Sequence, residues 1–164
     1  MNILKHIVIE HTSINIDNKN LFSYQSENLN FADFAKKIYY SLNINYPKFF
    51  KMSDMCKLGF IASEMLLQNT DLSKVNKSNV ALVFSSSSAS INADIEYQKT
   101  ISNIPSPALF VYTLPNIISG EICIRNGFKG EEIMLIQKQY DANFLIDYAE
   151  ILFKEKNTEF CLAG

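Results

Sequence analysis

Three short apolar runs, separated by helical patterns, constrain the fold of this chain more than any other feature. They are N-V-A-L-V-F (79–84), I-M-L-I (133–136) and F-C-L-A-G (160–164). Runs of this length and composition are typical of strands buried in a parallel sheet. Helical periodicity fills the intervening chain, at residues 89–101, 114–126 and 142–153. Because strands alternate with helices, the sequence predicts an α/β fold with a mixed, mostly parallel sheet covered by helices.

The N-terminal third of the chain is predicted to add one strand and two helices. Residues 6–16 are β-branched and partly alternating, which favours a strand, and the Asn-rich stretch 17–30 is interpreted as a loop. Residues 31–42 place their apolar side chains on one helical face, and Ser53 is a predicted N-cap of a second helix. Further along, Gly127 is the expected stop of the helix over 114–126. The last strand is expected to have no helix that covers its edge.

Length and composition indicate one globular domain, residues 1–164. Of the 164 residues, 48% are hydrophobic and 20% are charged, an ordinary balance for a soluble domain with a sizeable core. The net charge of −2 offers no general attraction for nucleic acid or anionic lipid. The N-terminus does not resemble a signal peptide, and no apolar segment is long enough to cross a bilayer. We therefore expect a cytoplasmic protein without a nucleic-acid or membrane partner.

Residue types that bind metals or carry redox chemistry are few and scattered. Cys56, Cys123 and Cys161 are far apart and form no CxxC motif, so buried reduced thiols are the simpler interpretation. His6 and His11 lie in the predicted first strand and point to opposite faces, without a Cys or Asp partner nearby in sequence. The acidic pair at 131–132 has no histidine at a useful spacing. We expect no metal and no cofactor.

The stretch E-E-I-M-L-I-Q-K-Q-Y-D-A (131–142) passes directly from a predicted strand into a helix. Such an elbow is a favoured place for a nucleophile, because a helix N-terminus stabilises developing negative charge. Here the elbow carries Gln137, Lys138, Gln139 and Tyr140, side chains that hydrogen-bond well but are poor nucleophiles. Asp141 is a predicted N-cap of the following helix. The residues themselves support no covalent catalysis.

A run of four serines, from Ser85 to Ser88, follows the predicted strand 79–84 and precedes a helix. Phosphate loops and serine nucleophiles occur at such turns. This run, however, lacks the glycines and lysine of G-x-x-x-x-G-K-[ST] and the flanking glycines of G-x-S-x-G. Small polar residues in a tight turn are the preferred interpretation.

The segment from Pro105 to Gly130 contains, in order, Ser106 with Pro107, Asn116, Ser119 with Gly120, and G-F-K-G at residues 127–130. It resembles the β-ketoacyl synthases of fatty acid and polyketide assembly, whose order is an S-P with aromatics, an asparagine, then A-G, an apolar helix, and G-[LIF]-[KR]-G. Upstream, K-M-S-D-M-C-K-L-G-F-I-A-S-E-M-L resembles the family's helix that leads to V-A-L-V-F-S-S-S, and F-C-L-A-G resembles its strand ending in A-G-G. The resemblance covers most of the chain after about residue 50. It implies the N-terminal half of a thiolase-type fold, which consists of two similar βαβαβαββ halves.

The resemblance also indicates which family positions the elbow residues occupy. Ketosynthases carry their catalytic cysteine there, and an ungapped count from Gly120 and Gly130 puts Gln139 at that position, with Lys138 at the preceding alanine. The two family histidines lie in the C-terminal half, to which no part of this sequence corresponds. The resemblance therefore implies that this chain is not an enzyme.

A glutamine at the cysteine position also resembles the chain-length factors, the catalytically silent partners of type II polyketide ketosynthases. The resemblance implies a heterodimer with a full-length ketosynthase and indirect contact with acyl carrier protein. For the chain alone, a homodimer is the alternative. The resemblance implies that the interface and the acyl tunnel are formed by Leu109, Phe110, Asn116, Ile133, Met134, Leu135, Ile136, Gln137, Lys138, Gln139 and Tyr140.

Two alternatives stay open. One is a small acyl-transfer or hydrolytic enzyme that uses the serines from Ser85 to Ser88. The other is a structural module whose copies pair through the elbow strand. The missing nucleophile at Gln139, the missing second half and the uncovered final strand favour the silent subunit.

Overall fold

The computed structural model describes residues 2–10, 13–23, 30–155 and 157–164. The structure is mixed α/β, with about 49% helix and two small three-stranded sheets, of which one is parallel. The chain divides into two compact units, Met1–Thr70 and Asp71–Gly164, and each contains one of the sheets. The organisation as one domain over residues 1–164 stays a prediction.

The first unit combines an antiparallel sheet with two helices. Its elements are β1 (Ile7–Ile9), β2 (Ser13–Ile16), β3 (Lys19–Ser23), α1 (Phe31–Ser41) and α2 (Asp54–Leu67). The strands lie in the order β1-β2-β3, and both neighbouring pairs are antiparallel. A 3₁₀ helix, Pro47–Lys51, connects the two α-helices.

The prediction of one strand over residues 6–16 and a loop over 17–30 is wrong. β1 and β2 divide the first range, and β3 lies in the second; His11 falls outside the described residues. The two-residue turn between β2 and β3 consists of Asp17 (φ 49°) and Asn18 (φ 63°). Asp and Asn tolerate this left-handed conformation, and two such residues in sequence produce a hairpin turn. The polar residues from Asp17 to Ser23 therefore form the turn and second strand of a hairpin.

The predicted helices of this unit are confirmed. In α1 the buried residues are Phe34, Ala35, Ile38 and Tyr39, close to the predicted apolar face. The hydroxyl of Ser53 accepts a hydrogen bond from the backbone N–H of Cys56, so Ser53 caps α2 as predicted. An aromatic cluster fills the space at the 3₁₀ helix, where Tyr39 and Phe49 stack with 4.6 Å between ring centroids.

The second unit is built on a parallel sheet. Its elements are β4 (Val80–Ser86), α3 (Ile91–Ile101), α4 (Pro107–Phe110), α5 (Ile117–Asn126), β5 (Glu132–Ile136), α6 (Ala142–Glu155) and β6 (Phe160–Ala163). The strand order is β5-β4-β6, and β4 is parallel to both neighbours. This unit confirms the predicted alternation of parallel strands and helices.

Helices cover both faces of the parallel sheet. On one face, α6 contributes Leu145 and Leu152 to a buried cluster with Ala81 and Val83 of β4. On the other face, the thiol of Cys123 in α5 lies 3.9 Å from a carboxylate oxygen of Glu132 in β5. Odd- and even-numbered residues of a strand point to opposite faces, so α5 and α6 lie on opposite sides. Because helices cover both faces of the sheet, the central strand β4 is fully buried from Val80 to Val83.

Two glycines determine the entry into β5. Gly127 ends α5 with φ 70°, the left-handed conformation that favours glycine at this position and that the sequence predicts. Gly130 lies so close to β4 that an added Cβ atom would be 2.2 Å from the carbonyl oxygen of Val80. Only a residue without a side chain permits this approach.

Three predicted details differ from the structure. The strand β4 continues through Ser85 and Ser86, so only the second half of the serine run is a turn. The predicted helix over 114–126 begins at Ile117, because the chain before it forms α4 and a short 3₁₀ helix, Val111–Thr113. In α6, Phe144 is 42% exposed and Ile151 is 51% exposed, although both belong to the apolar periodicity of residues 142–153.

No single helix among the described residues is both long enough and apolar enough to cross a membrane. The segments Pro107–Thr113 and Ile117–Asn126 reach that length and composition only as a pair, and the pair is bent by 103°.

Candidate functional site at the carboxyl ends of two parallel strands

The parallel register of β4 and β5 brings the serine run beside the elbow. Ser85 pairs with Leu135, and Ser86 pairs with Ile136. Directly after the last pair, the backbone N–H of Gln137 donates a hydrogen bond to the carbonyl oxygen of Ser86. Because parallel strands end at the same edge of a sheet, the turns that follow them are neighbours.

The turn after β4 is stabilised by a serine side chain. The hydroxyl oxygen of Ser86 accepts a hydrogen bond of 2.9 Å from the backbone N–H of Ala89. Ala89 has φ 47°, a left-handed conformation that is unfavourable for an alanine. Ser90 follows, and its buried hydroxyl donates to the carbonyl oxygen of Thr113 at 2.6 Å. The turn is therefore held in one conformation from both ends before α3 begins.

The turn after β5 contains a buried polar atom without a partner. Gln137 is half-buried, and its side-chain oxygen Oε1 is inaccessible to solvent and makes no hydrogen bond to any described residue. Gln139 and Tyr140 are exposed, with Tyr140 68% exposed. The carboxylate of Asp141 accepts a hydrogen bond from the N–H of Phe144 at 3.0 Å, which confirms Asp141 as the N-cap of α6.

A cleft of about 250 Å³ lies between the two turns. It is lined by three serines, two glutamines and a tyrosine, namely Ser85, Ser86, Ser87, Gln137, Gln139 and Tyr140. All six are uncharged at neutral pH and provide hydroxyl, amide or phenol groups. The cleft can therefore form hydrogen bonds in several directions, but its walls contain no group that is a strong acid or base at neutral pH.

The structure brings together some of the predicted site residues and separates others. Gln137, Gln139 and Tyr140 line the cleft, and the exposed Lys138 does not. Leu109 and Phe110 lie in α4, which packs against α3, and the ring of Phe110 is 5.4 Å from that of Tyr97. Asn116 is exposed and immediately precedes α5. None of these last three lines the cleft.

The predicted interface strand, with Ile133, Met134, Leu135 and Ile136, is the edge strand β5. Ile133, Met134 and Leu135 are half-buried, and Ile136 is 56% exposed. Among the described residues, β5 pairs with β4 only.

The backbone pattern of β5 shows which groups lie on its unpaired side. The N–H of Leu82 donates to the carbonyl oxygen of Glu131 at 2.9 Å, and the N–H of Gln137 donates to that of Ser86 at 3.1 Å. In a regular parallel pair, every second residue directs both of its backbone groups to the neighbour. Residues 131, 133, 135 and 137 therefore face β4, and residues 132, 134 and 136 direct N–H and C=O to the unpaired edge.

The thiols near the parallel sheet are not activated. Burial raises the pKa of Cys161 from 9.0 to about 11. Burial, together with the neighbouring Glu132 carboxylate, raises the pKa of Cys123 to about 11 as well. Both cysteines remain protonated at neutral pH, and a thiol is a much weaker nucleophile than a thiolate.

The first unit holds His6 in a surface contact. The ring nitrogen Nδ1 of His6 is 3.3 Å from a carboxylate oxygen of Asp17, and Nε2 is 3.3 Å from the amide oxygen of Asn18. The sequence separates these residues by more than ten positions, so the partner was not predicted. The contact joins the start of β1 to the hairpin turn between β2 and β3. No group of three or more His, Cys, Asp or Glu side chains within the described ranges is arranged to hold a metal ion.

The sequence interprets the serines as turn residues or as nucleophiles of an alternative enzyme, and it does not predict that they lie beside the elbow. One signal was available. Two predicted parallel strands, 79–84 and 133–136, are each followed by a polar segment, and such segments meet when the strands are adjacent. The adjacency of these two strands was not predicted.

In comparisons with protein-family models, curated proteins and solved structures, no match is found for this chain.

Proposed function

We propose that this chain is a non-catalytic, ketosynthase-like subunit that associates with a full-length β-ketoacyl synthase of fatty acid or polyketide biosynthesis. In this proposal the parallel unit corresponds to part of the N-terminal half of a thiolase-type fold. The chain acts like a chain-length factor and helps to shape the acyl tunnel of its partner, which carries out the condensation in the cytoplasm.

The observation that carries the proposal is an elbow without a nucleophile at the end of an edge strand. Gln139 occupies the position where the family resemblance implies a cysteine, and an amide does not attack a thioester. The elbow follows β5, which among the described residues pairs with no strand other than β4 and which carries the exposed Ile136. An exposed edge strand with apolar side chains is a surface to which another chain can add by strand pairing.

The composition of the cleft argues against the alternative of a serine hydrolase or acyl transferase. A serine nucleophile needs a base within hydrogen-bond reach. No histidine among the described residues lines the cleft. Within Asp71–Gly164, the cleft offers the serines only amide, hydroxyl and phenol neighbours.

Co-expression and copurification test the proposal. The chain, tagged and produced together with each full-length ketosynthase encoded beside its gene, is expected to copurify with one of them in a constant ratio. Ile136→Lys places a charge on the exposed face of the edge strand and is expected to abolish copurification, because burying an unpaired charge in an interface is unfavourable.

The matched control is Ile124→Lys. Ile124 lies on α5 and is 65% exposed, so this variant carries the same change at a similar exposure outside β5. It is expected to copurify like the wild type. Failure of the wild type to associate with every co-expressed ketosynthase would contradict the proposal. A stable dimer of the chain alone that Ile136→Lys dissociates, without any heterodimer, would favour the self-associating module.

A further inference from the structure

We propose that an exposed basic and aromatic surface of the N-terminal unit binds single-stranded nucleic acid. This basic–aromatic surface consists of five exposed residues of α1 and the 3₁₀ helix, namely Lys36, Lys37, Tyr40, Phe50 and Lys51. It belongs to the unit Met1–Thr70, whereas β5 and the elbow belong to Asp71–Gly164. The inference therefore does not depend on association with a ketosynthase.

Charge is unevenly distributed along the chain. Residues 34–53 carry four lysines and no acidic residue, whereas the rest of the chain carries 11 basic and 17 acidic residues. The expectation of no nucleic-acid partner rests on the net charge of −2, which does not show this local charge of +4. Lysines that contact phosphates release the counterions bound there, so a local group of lysines attracts a nucleic acid even when the whole chain is weakly acidic.

The helix α1 places two of these lysines beside an exposed tyrosine. Lys36 and Lys37 precede Tyr40 by four and three residues, and residues at these spacings are neighbours on the surface of a helix. Tyr40 is 60% exposed. The one acidic residue of α1 is Asp33, in the first turn, and its carboxylate already accepts a hydrogen bond of 2.9 Å from the side-chain amide of Asn30.

The 3₁₀ helix Pro47–Lys51 adds two further lysines and the second ring. Phe50 is 45% exposed, and Lys51 directly follows it in the sequence. Lys48 and Lys51 are exposed and three residues apart, a spacing at which side chains of a 3₁₀ helix lie on the same face. Both elements therefore combine an exposed ring with lysines.

The two exposed rings are adjacent and are supported by buried rings. The centroids of Tyr40 and Phe50 are 6.3 Å apart. The buried Tyr39 contacts both rings edge-on, with centroids 5.5 Å from Tyr40 and 5.0 Å from Phe50, and it stacks on the buried Phe49. Because this packing fixes the exposed rings before a ligand arrives, binding has little additional ordering cost.

The combination of lysines with exposed rings favours single-stranded nucleic acid over other anionic partners. Proteins that bind single strands use a positively charged surface for the phosphates and aromatic side chains on which unpaired bases stack. The bases of a duplex already stack on one another and offer the rings no free face. An anionic membrane would require a broader apolar surface than two rings, since membrane-bound helices bury a whole apolar face in the lipid.

Fluorescence anisotropy with the full chain tests the inference. The probes are a DNA strand of mixed sequence, the RNA strand of the same sequence, the corresponding DNA duplex and an abasic deoxyribose phosphate oligomer. Each is about 12 nucleotides long, within the range of known single-strand sites. At least one single strand is expected to bind with a dissociation constant below about 100 μM at about 50 mM salt. The duplex and the abasic oligomer are expected to bind at least about fivefold more weakly, because neither offers unpaired bases to the rings.

Tyr40→Ala removes the more exposed ring and keeps every lysine. It is expected to weaken binding of the single strand at least about fivefold, the lower limit for the loss of one stacked base. Tyr140→Ala is the matched control, because Tyr140 is 68% exposed and lies outside Met1–Thr70. This control is expected to bind like the wild type.

A double variant, Lys36→Gln with Lys51→Gln, removes two charges and keeps both rings, and it tests the surface even if Tyr40→Ala does not fold. The slope of the logarithm of the binding constant against the logarithm of salt concentration is expected to become shallower by about 1.4, since each phosphate contact of a single strand contributes about 0.7. Lys74→Gln with Lys138→Gln makes the same change at exposed positions outside Met1–Thr70. It is expected to retain the wild-type slope.

Four results would overturn the inference. The first is the lack of saturable binding to either single strand. The second is equal affinity for the single strand and for the duplex or the abasic oligomer, which would mean that the rings bind no bases. The third is wild-type affinity in folded Tyr40→Ala, or a wild-type salt slope in the double variant at Lys36 and Lys51. The fourth is cosedimentation with phosphatidylserine vesicles that Tyr40→Ala abolishes, without binding to either strand, which would assign the surface to membranes.

Discussion

The backbone nitrogen of Gln137 lies 3.1 Å from the carbonyl oxygen of Ser86, to which it donates a hydrogen bond. This bond joins two residues that are 51 positions apart in the sequence, and it lies at the point where both strands end. The position of the elbow relative to the serine turn is therefore set by strand pairing. A site built on paired strands is more rigid than one built on loops alone.

Ser86→Ala is expected to destabilise the protein by about 1 kcal/mol, because the N–H of Ala89 loses its hydroxyl acceptor in the turn before α3. The lost hydrogen bond lies in a turn where Ala89 already has an unfavourable φ of 47°. Urea denaturation of wild type and variant measures the change in the free energy of unfolding. Ser88→Ala, at an exposed position, is the control and is expected to change it by less than about 0.5 kcal/mol. Equal values for the two variants would contradict the role of the Ser86 hydroxyl.

Gly130→Ala is expected to destabilise the protein by about 1–3 kcal/mol, the usual range for an added methyl group that forces backbone shifts. The new Cβ would lie 2.2 Å from the carbonyl oxygen of Val80 and 2.7 Å from its carbon. Both contacts are with the backbone of β4, so the strand itself must move. Thermal or urea denaturation measures the change in the free energy of unfolding.

The control for that variant is Gly120→Ala, which introduces the same methyl group inside α5. No atom lies within 4 Å of the added Cβ, and alanine is favoured over glycine inside a helix by about 0.5–1 kcal/mol. Gly120→Ala is therefore expected to stabilise the protein. A loss of stability in Gly120→Ala as large as that in Gly130→Ala would show that the approach to Val80 is not the cause.

Tyr112→Phe is expected to destabilise the protein by about 1–3 kcal/mol, the range for the loss of a buried hydrogen bond. The phenol of Tyr112 donates to a carboxylate oxygen of Glu121 at 3.2 Å, and Glu121 is fully buried. The substitution leaves the ring in place and removes only the donor. Tyr140→Phe, with its ring 68% exposed, is expected to leave the free energy of unfolding unchanged within about 0.5 kcal/mol.

The raised pKa of Cys161 predicts a loss of stability in alkali. Burial raises the pKa of the folded-state thiol from 9.0 to about 11. As the pH rises, the unfolded chain therefore releases this proton before the folded protein does. The contribution of the thiol to the free energy of unfolding is complete below pH 9 and decreases between pH 9 and about 11. Cys161→Ala removes this contribution, and its free energy of unfolding is expected to decrease less steeply with pH over that window.

Urea denaturation at several pH values measures how steeply the free energy of unfolding decreases with pH in wild type and in Cys161→Ala. Leu162→Val changes the neighbouring residue of β6 without removing a titratable group, and it is expected to retain the wild-type slope. Identical slopes for wild type and Cys161→Ala would contradict the predicted titration of the buried thiol.

Much of the parallel unit could be predicted from local pattern. The apolar runs ending at Phe84 and Ile136 are short and dense enough to identify buried strands, and Gly127 marks a helix end through its left-handed conformation. The hairpin at Asp17 and Asn18 was missed, because its short strands carry many polar residues and resemble a loop. The exposure of Phe144 was missed because periodicity identifies an apolar stripe without stating how much of it is covered.

The sequence by itself determined the three parallel strands and the three long helices in residues 71–164, the caps at Gly127 and Asp141, and the lack of a nucleophile at the elbow. These are local properties, decided by side-chain spacing and by the chemistry of single residues. Only the tertiary structure decided that the serine turn and the elbow form one cleft. In the part of the chain that the structure describes, it also decided that the buried oxygen of Gln137 has no partner and that β5 is an edge strand. Those facts depend on which strands pair and in what register, and pairing between distant segments leaves no signal in a local pattern.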